Sequence, residues 1–209
     1  LALLIARPFN IIPDSFFFTL LCAIISLTGV AIRAMTVGYL PRKTEDEVTS
    51  GVKSTELITQ GMYSIVRHPI ALGNLLAWYG IILYVGVSWF IIGAILLYTL
   101  FTYQILLCEE EELAKRFGDR YSLWASYTNA LIPNRKLWIR SRDKFSLMQV
   151  FRREYIGFFF LVLAFVTINL LRNRLIEFTW SLSPLWTVVG GATLLFTIFI
   201  RLIIKLINK

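Results

Sequence analysis

The sequence predicts an all-α, polytopic membrane protein of about five transmembrane helices, with a tight helical hairpin and a cytoplasmic amphipathic helix. Three observations carry that expectation. Hydrophobic residues make up 57% of the 209 residues and the mean hydropathy is +0.68, far above a soluble domain of this length. Trp89 to Cys108 is a run of twenty residues without a charge, enough to cross a bilayer as a helix. Comparable apolar stretches recur at 16–38, 70–86, 155–171 and 185–204.

Within the first stretch Arg33 lies near the expected cytoplasmic end. Snorkelling toward headgroups is the favoured reading, with pairing to a buried carboxylate as the alternative. Leu1–Ala6 reads as the end of an earlier apolar segment, with no basic region or cleavage site of a signal peptide. The 39–60 loop is polar and mixed in charge, a candidate mobile cap over a site. The second stretch opens with Arg67-His68-Pro69, and proline in a first helical turn makes His68 or Arg67 the cap. Free N–H groups beside Arg67 form a corner suited to a carboxylate or phosphate; interfacial anchoring is the competing account. Gly73, Ala77 and Gly80 share one helical face, which predicts close helix packing ahead of a cofactor slot.

Only Gly86-Val87-Ser88 separates the second and third stretches, so they form a hairpin. Four glutamates, Glu109 to Glu112, follow the third. At a helix C-terminus they would oppose the macrodipole. Glu111 and Glu112 meet Lys115 and Arg116 at i,i+4, whereas Glu109 and Glu110 face Leu113 and Ala114 and have no local partner. Acids at or near membrane depth are usually functional, which singles out this pair. From 109 to about 128 the pattern reads as helical: Leu113, Phe117, Tyr121 and Trp124 recur at four, four and three, an amphipathic stripe for the membrane surface or a pocket cover.

Charge sets the expected orientation. Lys and Arg number four in the 39–69 loop and ten in 109–154, with Lys205 and Lys209 in the tail. The 172–184 loop has only Arg172 and Arg174, so the positive-inside rule places the two large loops in the cytoplasm. The net charge of +8 is therefore read as headgroup contact rather than nucleic-acid binding. Cys22 and Cys108 are expected as small buried hydrophobes, and a single histidine argues against a metal.

Gly61-x-Tyr63-x-x-x-Arg67-His68-Pro69-x-x-x-Gly73 is followed by Glu109-Glu110-x-x-Leu113-x-x-x-Phe117-Gly118-x-x-Tyr121-x-x-Trp124 and Ile132-Pro133. This two-part pattern resembles the membrane methyltransferases of the isoprenylcysteine carboxyl methyltransferase and phospholipid methyltransferase group. The resemblance covers about 16–134, which divides the chain into a methyltransferase-like core at 1–134 and, at 135–209, a basic loop with two further spans. It implies S-adenosylmethionine as cofactor and a membrane lipid or lipidated acceptor methylated at the cytoplasmic face. Position by position it implicates His68, Pro69, Gly73, Glu109, Glu110 and Tyr121 in cofactor binding, and Arg67, His68 and Glu110 in catalysis. Two departures stand out: Ala71 occupies a position where the group commonly has Tyr, and Trp124 replaces a usual Tyr.

The roles expected from that likeness follow the charges. Glu109 or Glu110 holds a cationic part of the cofactor, and Tyr63, Tyr121 or Trp124 adds cation–π contact. His68 and the helix N-terminus hold its carboxylate, while Arg67 steers an anionic acceptor. Methylation of a carboxylate or phosphate oxygen is favoured over methylation of a phospholipid amine, which must first lose a proton. Sterol and steroid reductases, which use NADPH, carry a similar Arg-His-Pro motif with Asn-Tyr and Gly-Glu after it; here Ile70-Ala71 and Gly73-Asn74 stand there. A non-catalytic protein keeping the fold is the remaining reading, and Ala71 is the residue that favours it.

Overall fold

A computed structural model describes residues 15–40, 56–176 and 180–207. Residues 41–55 of the cap loop, the Leu1–Ala6 segment and Lys209 lie outside the described residues. The described chain is all-α: α1 (Phe16–Gly38), α2 (Met62–Ile65), α3 (Pro69–Tyr84), α4 (Ser88–Phe117), α5 (Asp119–Tyr127), α6 (Leu147–Ile176) and α7 (Pro184–Ile207), with a 3-10 turn at Arg135–Leu137. Four of these, α1, α4, α6 and α7, are long and apolar enough to span a bilayer, so the protein is a polytopic helical membrane protein.

Helix α1 occupies the expected limits and opens on Ser15, whose hydroxyl accepts the Phe18 N–H at 3.2 Å. The second expected span is shorter. Helix α3 has 16 residues, about 24 Å at helical rise against a hydrocarbon core of about 30 Å. It ends where Gly86, at φ +76°, turns the chain into α4.

Helix α4 corrects a second expectation. It does not stop at Cys108 but runs on to Phe117 as one 30-residue helix, so Glu109–Glu112 stand inside it. Their hydropathy leaves the membrane while Glu, Leu, Ala and Lys keep a high helix propensity. Lys115 and Arg116 occupy the last turn and complement the dipole. Glu111 meets Lys115 at 3.7 Å, both exposed. Gly118, at φ +53°, breaks the line and starts α5 in a new direction.

Helix α6 begins at Leu147, eight residues ahead of the expected span, which brings Arg152, Arg153 and Glu154 into a helix. It also ends late, so Arg172 and Arg174 belong to α6 rather than to a loop. Arg172 is fully buried and donates to the Tyr84 carbonyl at 2.8 Å, capping α3. The Tyr84 hydroxyl accepts from Trp186 Nε1 at 2.8 Å and Asn169 Nδ2 at 3.3 Å. Phe165 and Trp186 stack with centroids 5.2 Å apart in the same cluster, which locks α6 and α7 onto the hairpin.

Arg33 does not snorkel. Its Nε and Nη2 donate to the two carboxylate oxygens of Glu154 at 2.8 and 2.9 Å, and Nη1 donates to Asn74 Oδ1. The pair links α1, α3 and α6 because a guanidinium in an apolar environment is stabilised best by a bidentate acid. Cys22 is buried as expected, whereas Cys108 is exposed on α4; neither forms a disulfide among the described residues.

The small-residue face packs α3 on α1. A Cβ on Gly73 would lie 2.6 Å from Arg33 Cγ and 2.7 Å from the Gly29 carbonyl, and one on Gly80 would overlap the Cys22 carbonyl. Ser26 Oγ donates to the Ala77 carbonyl at 2.8 Å across the same crossing. Gly80→Ala is therefore expected to lower stability by about 1–3 kcal/mol, since it would displace the Ser26 hydroxyl and still meet the Cys22 carbonyl, which is backbone and cannot step aside. Thermal unfolding in a fixed detergent measures it.

Candidate functional site

The site is assembled by a short strap of backbone bonds. Gly61 takes φ +62°, outside the range of most residues, and lets the chain turn into α2. Residues 61–68 then dock against the segment that follows α5. Arg67 N–H donates to the Asn129 carbonyl at 2.8 Å and His68 N–H to Ala130 at 3.1 Å. Asn134 N–H returns to the Ile65 carbonyl at 2.8 Å, and Gly61 N–H reaches Ile139 at 2.9 Å. Ser64 Oγ closes the join, accepting from Ile139 N–H at 2.9 Å. His68 caps α3 and Pro69 follows in its first turn.

This frame brings the two motifs together across 42 residues of sequence. Glu110 Oε1 lies 2.9 Å from Arg67 Nη2 and 3.1 Å from His68 Nε2. Glu109 Oε2 lies 3.4 Å from the other ring nitrogen, Nδ1. Arg67 also donates to the Ala125 carbonyl at 3.1 Å. His68 is buried, Glu110 mostly so, and Glu109 is 55% exposed at the rim.

Two expectations change. Glu109 and Glu110 lack local partners, but they are not uncompensated, because Arg67 and His68 reach them from the other motif. The corner at the N-terminus of α3, expected to take an anion, takes the chain's own Glu110. Arg67 is matched to Glu110 inside the site, and the carboxylate of Glu109 lies at the exposed rim.

Around this cluster lie four buried polar atoms that find no protein partner: Arg67 Nε, Tyr121 Oη, Trp124 Nε1 and Thr128 Oγ1. All four can donate, and buried donors are ordinarily bonded. Tyr121 and Trp124 sit edge to face on α5 with centroids 5.9 Å apart. Burial, then the charge of Glu110, raises the Tyr121 pKa while Arg67 opposes the shift, so its hydroxyl remains a donor.

Tyr63 borders the same acids. Burial pushes its pKa up to about 12 from 10.0, the Glu109 carboxylate adds to the rise, and Arg153 of α6 opposes it. A neutral Tyr63 thus contributes stability that is fully present below about pH 10 and is lost as pH climbs through 12. The melting temperature is expected to fall between those values, and Tyr63→Phe to remove part of that fall.

His68, Pro69, Arg67, Glu109, Glu110 and Tyr121 are gathered at one place. Gly73 is not; it sits in the α1–α3 crossing. Sequence reasoning missed Thr128, although it extends the Tyr121–Trp124 stripe by one more helical step. It also missed Arg153 and Glu154, whose signal was an acid set directly before an apolar run. Among the described residues no group of three or more His, Cys, Asp or Glu side chains is placed to hold a metal ion.

Residues 17–120, about half of the chain, match the family model described as phospholipid methyltransferase. No curated protein and no solved structure matches the chain.

Proposed function

Since the chain belongs to the phospholipid methyltransferase family over residues 17–120, we propose that it transfers a methyl group from S-adenosylmethionine to a lipid acceptor at the cytoplasmic membrane face. One observation carries the reading: the Arg67–His68 pair and the Glu109–Glu110 pair meet within 2.9–3.4 Å at the mouth of the hairpin. Had the acids pointed into bulk water, the two motifs would have made no site.

The residues present fit the cofactor's chemistry. The exposed carboxylate of Glu109 at the rim suits the cationic part of such a donor. Tyr121, Trp124, Thr128 and Arg67 offer unspent donors, which suit the carboxylate, hydroxyls and ring nitrogens of such a molecule. When bound, the cofactor supplies an electrophilic methyl group, so the protein needs to position and match charge more than to activate.

The chain's own residues divide the work. Arg67 and His68 hold Glu110, which fixes the wall of the site. Glu109, with one oxygen near His68 and the rest of its carboxylate open, faces the cation. Tyr63 and Tyr121, both neutral, line the site without adding charge. Pro69 sets the start of α3, where His68 is placed. Basic residues of the cytoplasmic loops favour an anionic acceptor oxygen, a carboxylate or phosphate, which attacks without losing a proton. The family description names a phospholipid, and a phospholipid amine is the second reading, for which Glu109 or His68 takes the proton.

Membranes containing the protein, incubated with methyl-labelled cofactor, are expected to label one extracted lipid class. Alkali releases label from a carboxylic methyl ester as methanol, and chromatography of the cleaved head group separates a methyl phosphate from an N-methyl amine. S-adenosylhomocysteine is expected to raise the melting temperature and NADPH to leave it unchanged. Stabilisation by NADPH alone overturns the proposal in favour of a reductase. Binding without any labelled lipid favours the non-catalytic alternative.

A further inference from the structure

The segment between α5 and α6 has no regular structure beyond one 3-10 turn, yet both of its ends are tied down. Its start holds the Arg67 and His68 amides, and at its finish Ser146 N–H donates to the Gly38 carbonyl at the end of α1 at 2.9 Å. The strap therefore runs from the site to the adjoining ends of the spans α1 and α6. Its outward surface is unusual for a loop in water. Ile132 is 73% exposed, Trp138 47% and Ile139 52%. Between and after them come Arg135, Lys136, Arg140 and Arg142, all exposed. Over residues 129–146 there are five Lys or Arg against one acid, Asp143.

Exposed aliphatic and indole side chains interleaved with cations are the composition of a surface that lies in a lipid interface. Water alone would select against the apolar members, and a neutral bilayer would not require the basic ones. We infer that residues 129–146 form a docking surface for the anionic lipid headgroup layer, with Ile132, Trp138 and Ile139 inserted and the flanking cations on phosphates. The occupant is the bilayer surface, because the strap leads into one candidate membrane span, is bonded to the end of another, and carries charge that complements anionic lipid. Docking there also holds the segment whose carbonyls carry Arg67 and His68, so the same contact steadies the site.

The test uses the full chain in phosphatidylcholine vesicles containing phosphatidylglycerol, with brominated acyl chains on one lipid or the other at equal total bromine. Tryptophan emission is recorded, and Trp138→Phe isolates the share of Trp138 among the six tryptophans. That share is expected to be quenched about twofold more when the bromines ride on phosphatidylglycerol. The preference is expected to vanish in Arg135→Gln/Lys136→Gln/Arg140→Gln/Arg142→Gln, and to weaken in about 0.5 M salt for the unmodified chain. Equal quenching by both lipids overturns the anionic preference. No quenching of the Trp138 share overturns membrane docking and leaves a surface for a soluble acidic partner. Should the fourfold variant fail to insert, the salt series on the unmodified chain decides. No methyl transfer is read, so this result and the fate of the proposed activity are independent.

Discussion

Glu110→Gln is expected to weaken S-adenosylhomocysteine binding by about tenfold to a hundredfold, the range of a lost hydrogen bond to a charged group. The carboxylate is the meeting point of Arg67 at 2.9 Å and His68 at 3.1 Å. Glutamine keeps the shape but removes the charge, which leaves the Arg67 guanidinium, already carrying one unpartnered Nε, without its acid. An arginine so placed turns toward the rim, where Glu109 is the nearest exposed carboxylate, and neutralises the group proposed to face the cofactor's cation. Calorimetry on the purified protein reads the affinity. A value within twofold of the unmodified chain removes Glu110 from the site. Arg67→Gln combined with Glu110→Gln is expected to recover thermal stability but not binding, which separates folding from function.

Glu154→Ala is expected to give the largest loss of stability, about 2–4 kcal/mol, because it leaves the mostly buried Arg33 with Asn74 but without its acid. Its two oxygens take both Nε and Nη2 of Arg33, and Glu154 is 7% exposed. For a chain of this size that loss corresponds to a fall in melting temperature on the order of 10 °C. Replacing both partners by methionine is expected to restore most of it, since an apolar pair carries no unbalanced charge. A single variant that melts with the unmodified chain would show that lipid headgroups or water satisfy Arg33 without α6.

Most of the membrane architecture was legible as uncharged length. Helix α1 has the expected limits, the hairpin turns at Gly86, and Gly73, Ala77 and Gly80 do pack a helix crossing. Local chemistry marked these, and local chemistry is what a sequence displays. Residue chemistry alone showed Arg67 and His68, and Glu109 and Glu110, as two separate oddities, a basic cap and a pair of acids without neighbours; only the resemblance joined them in one site. The Arg33–Glu154 pair was not, because its partners stand 121 residues apart and pairing across helices leaves no periodic trace. The true end of α4 was hidden for another reason. Hydropathy reports where a helix leaves the membrane, whereas propensity reports where it ceases to be a helix, and at Cys108 the two disagree. The strap after α5 was equally opaque, since its bonds run through backbone atoms that every residue shares.

The unbroken course of α4 has a mechanical consequence. Ser88 and Glu110 belong to one rod, and the 22 steps between them amount to about 33 Å. A change of inclination of only about 2° swings the far end by about 1 Å, comparable to the slack in a hydrogen bond. With no intervening loop to absorb that swing, any tilt of α4 relative to α3 is passed undiminished to the acids that face His68.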